Sequence, residues 1–142
     1  VAETIKVDIV SAEKELFSGE AAMVFCPAVM GEVGIAPQHS PLVTKLGPGE
    51  VRLKLPSGEE EGYYVSGGML EVQPHLVTVL SDTALRARDI DEAAALQAKE
   101  EAEKALHDQE SDIDYGSAQA ALAEAVAQLQ TLRRMKNRAG RG

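Results

Sequence analysis

The chain has no tryptophan, one cysteine and three histidines among its 142 residues. One thiol closes no internal disulfide and builds no multi-cysteine zinc site. Cys26 lies in an apolar run just before Pro27 and reads as a buried structural thiol. His39, His75 and His107 are far apart in sequence and lack metal-ligand spacing. No apolar run approaches the ~20 residues of a membrane-spanning helix. The opening Val1-Ala2-Glu3-Thr4-Ile5 lacks the basic start and apolar stretch of a signal peptide. The expectation is a cytoplasmic protein, or one held at a membrane through partners rather than by direct insertion. Basic residues are outnumbered 14 to 23, giving a formal net charge of −9. That deficit argues against general nucleic-acid binding, which needs cationic surface to displace counterions.

Signatures of catalysis are missing as well. There is no phosphate-binding P-loop, no dinucleotide fingerprint, and Ser66-Gly67-Gly68 does not form a nucleophile elbow. Gly31-Glu32-Val33-Gly34 reads as a loop with special backbone angles, and Glu59-Glu60-Glu61 as a solvated hairpin tip. His39, between Pro37 and Pro41, reads as a structural or solvated loop residue. Nothing in the chain calls for an active site, a cofactor or a metal.

What is present divides near residue 85. All six prolines and nine of twelve glycines fall within the first 74 residues, whereas fifteen of 21 alanines lie from Ala84 onward. In the first part, Ile5-Lys6-Val7-Asp8-Ile9 and Val51-Arg52-Leu53-Lys54-Leu55 alternate with the period of half-buried strands. Pro56-Ser57-Gly58 and Gln73-Pro74-His75 punctuate two hairpins, Val51–Leu55 with Glu61–Val65 and Met69–Val72 with Leu76–Leu80. Ala22 to Cys26 suits an internal strand. Short strands at this spacing predict an antiparallel β-sandwich or flattened barrel.

The second part predicts two helices. Asp89 is placed to cap the first and Glu92 to complete a capping box. Ala95, Ala98, Ala102 and Ala105 recur at three-four spacing, and Ala118, Leu122, Ala125, Leu129 and Leu132 do so in the second helix. The turn-prone stretch 112–116 between them makes an antiparallel helical hairpin. The fold class is therefore α+β, with a sandwich domain over residues 1–85 and a helical hairpin over 86–142. Alanine seams bury little area, and apolar burial is worth only ~25 cal/mol per Å². Physics alone leaves open a hairpin that detaches and one that is permanently packed. Charge is polarised too: residues 89–114 carry ten acids and two bases, while 133–142 carry five bases and no acid.

Four segments together resemble the epsilon subunit of bacterial F-type ATP synthases. They are Val10 to Glu13 with Leu16 to Glu20, Gly31 to Leu42, Tyr64 to Val72, and Val77 to Ala84, and the resemblance covers nearly the whole chain. It implies a non-catalytic rotor subunit whose sandwich binds the gamma subunit and rests on the membrane-embedded c-ring. It also implies a location on the cytoplasmic face of the bacterial inner membrane, as a peripheral part of the complex. Glu32 and His39 match the family segment facing the c-ring, with Gly34, Pro37 and Pro41 shaping it. In many members the hairpin extends along gamma and opposes ATP hydrolysis, its basic end approaching the catalytic alpha and beta subunits. Arg133, Arg134, Lys136 and Arg138 match that basic end. Some members bind ATP through an Ile/Leu-Asp-x-x-Arg-Ala motif. Here the matching stretch is Ile90-Asp91-Glu92-Ala93-Ala94-Ala95, where Ala94 replaces the arginine and offers a phosphate no charge. ATP binding is thus expected to be weak or absent. Alternatives from other classes are a free-standing, chaperone-like interaction module and a small carboxylate enzyme.

Overall fold

Alternating apolar residues build ten strands among the residues that the computed structural model describes, 3–107 and 115–140. In chain order they are β1 (Ile5–Ser11), β2 (Glu15–Ala21), β3 (Met23–Ala28), β4 (Gly31–Ile35), β5 (Leu42–Leu46), β6 (Gly49–Lys54), β7 (Glu60–Val65), β8 (Gly68–Gln73), β9 (Leu76–Ser81) and β10 (Ala84–Arg86). A 3-10 turn at Ala87–Asp89 leads into α1 (Glu92–His107), followed by α2 (Tyr115–Gly140). Strand order is β10-β7-β6-β3-β5-β8-β9-β1-β2, with β4 attached to β3. β3 meets β5 through the single pair Ala28↔Leu46. The sheet folds over at that narrow join into two layers.

Between the layers lies one apolar core. Val24, Cys26, Val51, Leu53 and Val65 come from one side, and Ile5, Val7, Ile9, Leu70, Val72, Val77 and Val79 from the other. No helical residue belongs to this cluster. Pairing is antiparallel except between β1 and β9, which run parallel from Lys6↔Leu76 to Ser11↔Ser81. A parallel pair needs a long connection, and the seven intervening strands supply it.

Two expectations are corrected in this half. Gly31 to Gly34 is not a loop: it forms β4, paired with β3 as Phe25↔Gly34 and Pro27↔Glu32. Gly34 is exposed, and a Cβ there would stand 3.4 Å from the Phe25 ring, in ordinary van der Waals contact. Only Gly31, at φ 127°, uses a glycine-specific backbone there. Glu60 and Glu61 lie on β7 rather than at the hairpin tip, and Glu61 Oε2 accepts a 2.7 Å hydrogen bond from the Tyr63 hydroxyl.

The helices differ in detail from expectation as well. Asp91, not Asp89, caps α1: its Oδ1 accepts the Ala94 amide at 3.1 Å, while Asp89 ends the 3-10 turn. The α1 seam reduces to Ala95 and Ala102, seven residues apart, because Ala98 and Ala105 are exposed. A single partner helix covers only a narrow stripe. On α2 the expected residues serve, with Ala118, Ala125 and Leu132 buried and Leu122 and Leu129 partly so. Of the stretch expected to turn, Tyr115 and Gly116 begin α2, and 112–114 lie outside the described residues. A second, small cluster joins the halves: Tyr64, Ile90, Ala127 and Leu132, flanked by Leu85 and Met135.

Candidate functional site

The charged side chains of the sheet's outer face are organised around β6. Along this strand Val51 and Leu53 enter the core, so Glu50, Arg52 and Lys54 share the opposite face. α2 packs across that face, and its end delivers two guanidinium groups to one carboxylate. Glu50 Oε1 accepts from Arg134 at 3.1 Å and Oε2 from Arg138 at 3.4 Å. The Glu50 side chain is 1% exposed, against 49% for Arg134 and 21% for Arg138. Gly62 on β7 makes room for the cluster: a Cβ there would strike the Glu50 carboxylate and stand 2.7 Å from an Arg138 nitrogen. Lys136 reaches back to Glu92 on α1 at 2.8 Å, and Arg133 is exposed. Three cations of the basic tail are therefore held by carboxylates in this arrangement.

On the same face of the sheet, Arg52 donates to Glu32 at 2.8 Å and lies 4.5 Å above the Phe25 ring. A cation over an aromatic ring gains electrostatically from the ring's negative face. The segment matched to the c-ring contact thus begins on β4, with Glu32 and Gly34, and turns through residues 36–41. The Gln38 amide donates to Pro74 O at 2.9 Å, with Gln38 in a left-handed conformation at φ 63°. His39 is tied locally, its amide to Ala36 O at 3.2 Å and its Nδ1 to Ser40 O at 2.7 Å. Pro41 is exposed and Pro37 half-buried. Glu32 and His39 are positioned on one continuous segment; the basic tail instead gathers at Glu50 and Glu92.

A further surface lies on the other layer. Register aligns Lys45, Met69, Leu80 and Val10 across β5, β8, β9 and β1. Val43, Met69 and Leu80 remain exposed on these strands, and Val29 and Met30 at the β3–β4 turn are exposed as well. Met69 and Leu80 are directly paired, so their side chains adjoin on the open face of the sheet.

Among the described residues, no group of three His, Cys, Asp or Glu side chains is placed to hold a metal ion. Burial, helped by the nearby Glu32 charge, pushes the Cys26 thiol up to about 12, which keeps it protonated and unreactive. Burial, with the Glu61 hydrogen bond and charge, takes Tyr63 up to about 12 against the pull of Arg86. A groove of about 860 Å³ between β7 and the end of α2 mixes Glu60 and Glu61 with Arg86, Arg88 and Arg138. Sequence reasoning passed over Glu50. Its only signal was the alternation that puts it opposite Val51, weakened by the preceding Pro48-Gly49 turn.

The family model described as "ATP synthase, Delta/Epsilon chain, beta-sandwich domain" matches residues 4–87, and the one described as "ATP synthase, Delta/Epsilon chain, long alpha-helix domain" matches residues 88–133. The chain belongs to this family. An ATP synthase epsilon chain of Nitrosococcus oceani is 63% identical over 140 residues, covering 99% of this chain and all of the relative. Its counterpart in Halorhodospira halophila is 61% identical, covering 97% of this chain and 99% of the relative. Among solved structures, a chain of the Euglena gracilis mitochondrial ATP synthase superposes with a TM-score of 0.81 at 22% identity, covering 91% of this chain and 81% of that one. That likeness supports the sandwich-plus-helices fold. Membership in the epsilon family makes this chain a non-catalytic subunit of the ATP synthase complex.

Proposed function

We propose that this non-catalytic central-stalk subunit divides its work at the end of the sandwich. The sandwich, to about residue 85, engages the rotor, and the helices from 86 onward regulate hydrolysis. The observation that carries this division is the separation of the two apolar clusters, since the sandwich core contains no helical residue. The sandwich keeps its core whether the helices are docked or not. In this reading the gamma subunit covers the exposed row around Met69 and Leu80, and the c-ring meets the Glu32–Pro41 segment. The helices leave the sandwich to bring Arg133, Arg134, Lys136 and Arg138 to the catalytic alpha and beta subunits. No helix among the described residues is long and apolar enough to cross a membrane, which suits a peripheral position on the cytoplasmic face of the bacterial inner membrane, held by partners.

The test is ATP hydrolysis by a catalytic core depleted of this subunit, supplemented with the full chain or with residues 1–85. The expected result is inhibition by the full chain alone, with both forms binding gamma. Loss of gamma binding by the shorter chain would overturn the division. Equal inhibition by both would remove the helices as the brake.

We also infer that the chain does not bind ATP through α1. Ala94 carries no group for a phosphate, and its amide is already occupied by the Asp91 carboxylate at 3.1 Å. Calorimetry should register no binding at micromolar nucleotide; a micromolar isotherm would refute the inference.

A further inference from the structure

The charged groups on the outer face of β6 and its neighbours form one line. At one end Glu32 holds Arg52 at 2.8 Å; at the other Glu50 holds Arg134 at 3.1 Å and Arg138 at 3.4 Å. Arg52 and Glu50 are alternate residues of a single strand, so their backbones stand only about 6.6 Å apart on the same face. An arginine side chain spans that distance. Arg52 is also incompletely satisfied, because its Nε is buried with no hydrogen-bond partner among the described residues. Three guanidinium groups, Arg52, Arg134 and Arg138, are therefore set around two carboxylates, Glu32 and Glu50.

We propose that Arg52 couples the Glu32 segment to helix docking: a cationic partner surface that takes the Glu32 carboxylate turns Arg52 toward Glu50 and loosens Arg134 and Arg138. The inference rests on the proposed reading in which the helices dock reversibly and Glu32 faces a rotor partner. Two effects act with one sign. A released Arg52 competes for the Glu50 oxygens, and its unneutralised charge repels the two tail guanidinium groups. The two-state element biased from both ends is the docked helix pair, so the coupling is reciprocal: docked helices would strengthen the hold of Glu32 on Arg52 and weaken its capture by a partner.

A double-mutant cycle on the full chain, without partners, tests this. Glu32→Gln imitates loss of the free carboxylate, and hydrogen–deuterium exchange of the α2 amides reads docking. Glu32→Gln should quicken α2 exchange about three- to tenfold, in the usual range of coupling between sites. In an Arg52→Gln background the same change should have less than about a twofold effect. Exchange of β3 and β6 reports whether the sheet survives; if Arg52→Gln disturbs it, Arg52→Met keeps the apolar stem over Phe25 and completes the cycle. Raising salt from about 0.1 M to 1 M should also shrink the gap between Glu32→Gln and wild type, as the screening length falls from about 10 Å to 3 Å. Equal acceleration with and without Arg52, or none from Glu32→Gln, would overturn the coupling. Neither result bears on whether the full chain inhibits hydrolysis, which the truncation experiment decides separately.

Discussion

Glu50→Gln isolates the electrostatic part of helix docking while keeping the side chain's size. A buried hydrogen bond to a charged group contributes ~1.5–3 kcal/mol when its geometry is good. Both contacts here fall short of that. At 3.1 Å and 3.4 Å they are longer than the strongest charge-assisted bonds, and Arg134 is about half in water. Docking also strips water from the Glu50 carboxylate, a penalty that the neutral amide largely avoids. Taking each bond at roughly half strength and subtracting the desolvation difference leaves ~1–2 kcal/mol, or about five- to thirtyfold in the docking equilibrium. Hydrogen–deuterium exchange resolved by segment is the assay. α2 should exchange faster by that factor, while amides of β1 and β9, which border only the sandwich core, keep their wild-type rates. Unchanged α2 exchange would show that the ion pairs contribute nothing. Simultaneous acceleration in β1 and β9 would show that helices and sandwich open as one unit, against the division drawn from the two clusters.

Three other substitutions or titrations test separate steps. Gly68 combines φ 138° with a backbone so close that a Cβ would strike the Leu80 carbonyl and stand 2.9 Å from Ser81 Cα; Gly68→Ala should cost about 3 kcal/mol or more in urea unfolding of the sandwich, and a loss under about 1 kcal/mol would refute the steric account. Tyr64 lies beneath α2, and its hydroxyl is raised from 10.0 to about 12 by burial first and the Glu124 charge second, against a hydrogen bond from Gln128. Because the docked value is raised, docking holds its full Tyr64 contribution below pH 10 and loses it as pH climbs through about 12. In a Tyr63→Phe background, alkaline absorbance titration should show this late ionisation moving toward 10.0 when Glu50→Gln loosens the helix; a midpoint indifferent to docking would refute it. Asp91→Ala should remove ~1 kcal/mol from α1 through the lost cap, seen as reduced helicity by circular dichroism, whereas Asp89→Ala should not.

Strands were legible where period two was clean and local, and obscure where pairing decided. β1 and β6 announced themselves through alternation, and β7, β8 and β9 through the turn residues that punctuate their hairpins. β4 did not, because two glycines and a glutamate in five residues carry no strand signal; β3 imposes the conformation by hydrogen bonding along its edge. The parallel neighbourhood of β1 and β9 joins residues about seventy apart in the chain, beyond any window of periodicity. On α1, three-four spacing named four alanines where two are covered, since the pattern gives the stripe's direction but not the partner's width. The Glu32–Pro41 segment and the basic tail were likewise visible as residue types. Their partners Arg52, Glu50 and Glu92 were not, because an ion pair across 84 residues, as between Arg134 and Glu50, leaves no mark on either local sequence.

The polarised charge of the C-terminal half follows from this arrangement. An antiparallel hairpin returns the basic end of α2 to the acidic start of α1, where Lys136 meets Glu92 at 2.8 Å with both side chains more than half exposed. Such a pair contributes under ~1 kcal/mol, and among the described residues the apolar cluster joining the two halves has only Tyr64, Ile90, Ala127 and Leu132 as buried members. Docking is thus assembled from several modest terms rather than one large one. Arg134, Lys136 and Arg138 cannot be bound to Glu50 and Glu92 while also meeting an acidic surface on a catalytic subunit. Under the proposed function, the docked state pairs the groups that would inhibit with Glu50 and Glu92, so any weakening at Glu50 both frees the helices and releases cations from their carboxylates. The difference between docked and inhibitory states then turns on which carboxylates surround the same three side chains. An acidic partner presenting more than one carboxylate in a less hydrated setting needs only a small advantage to shift that balance.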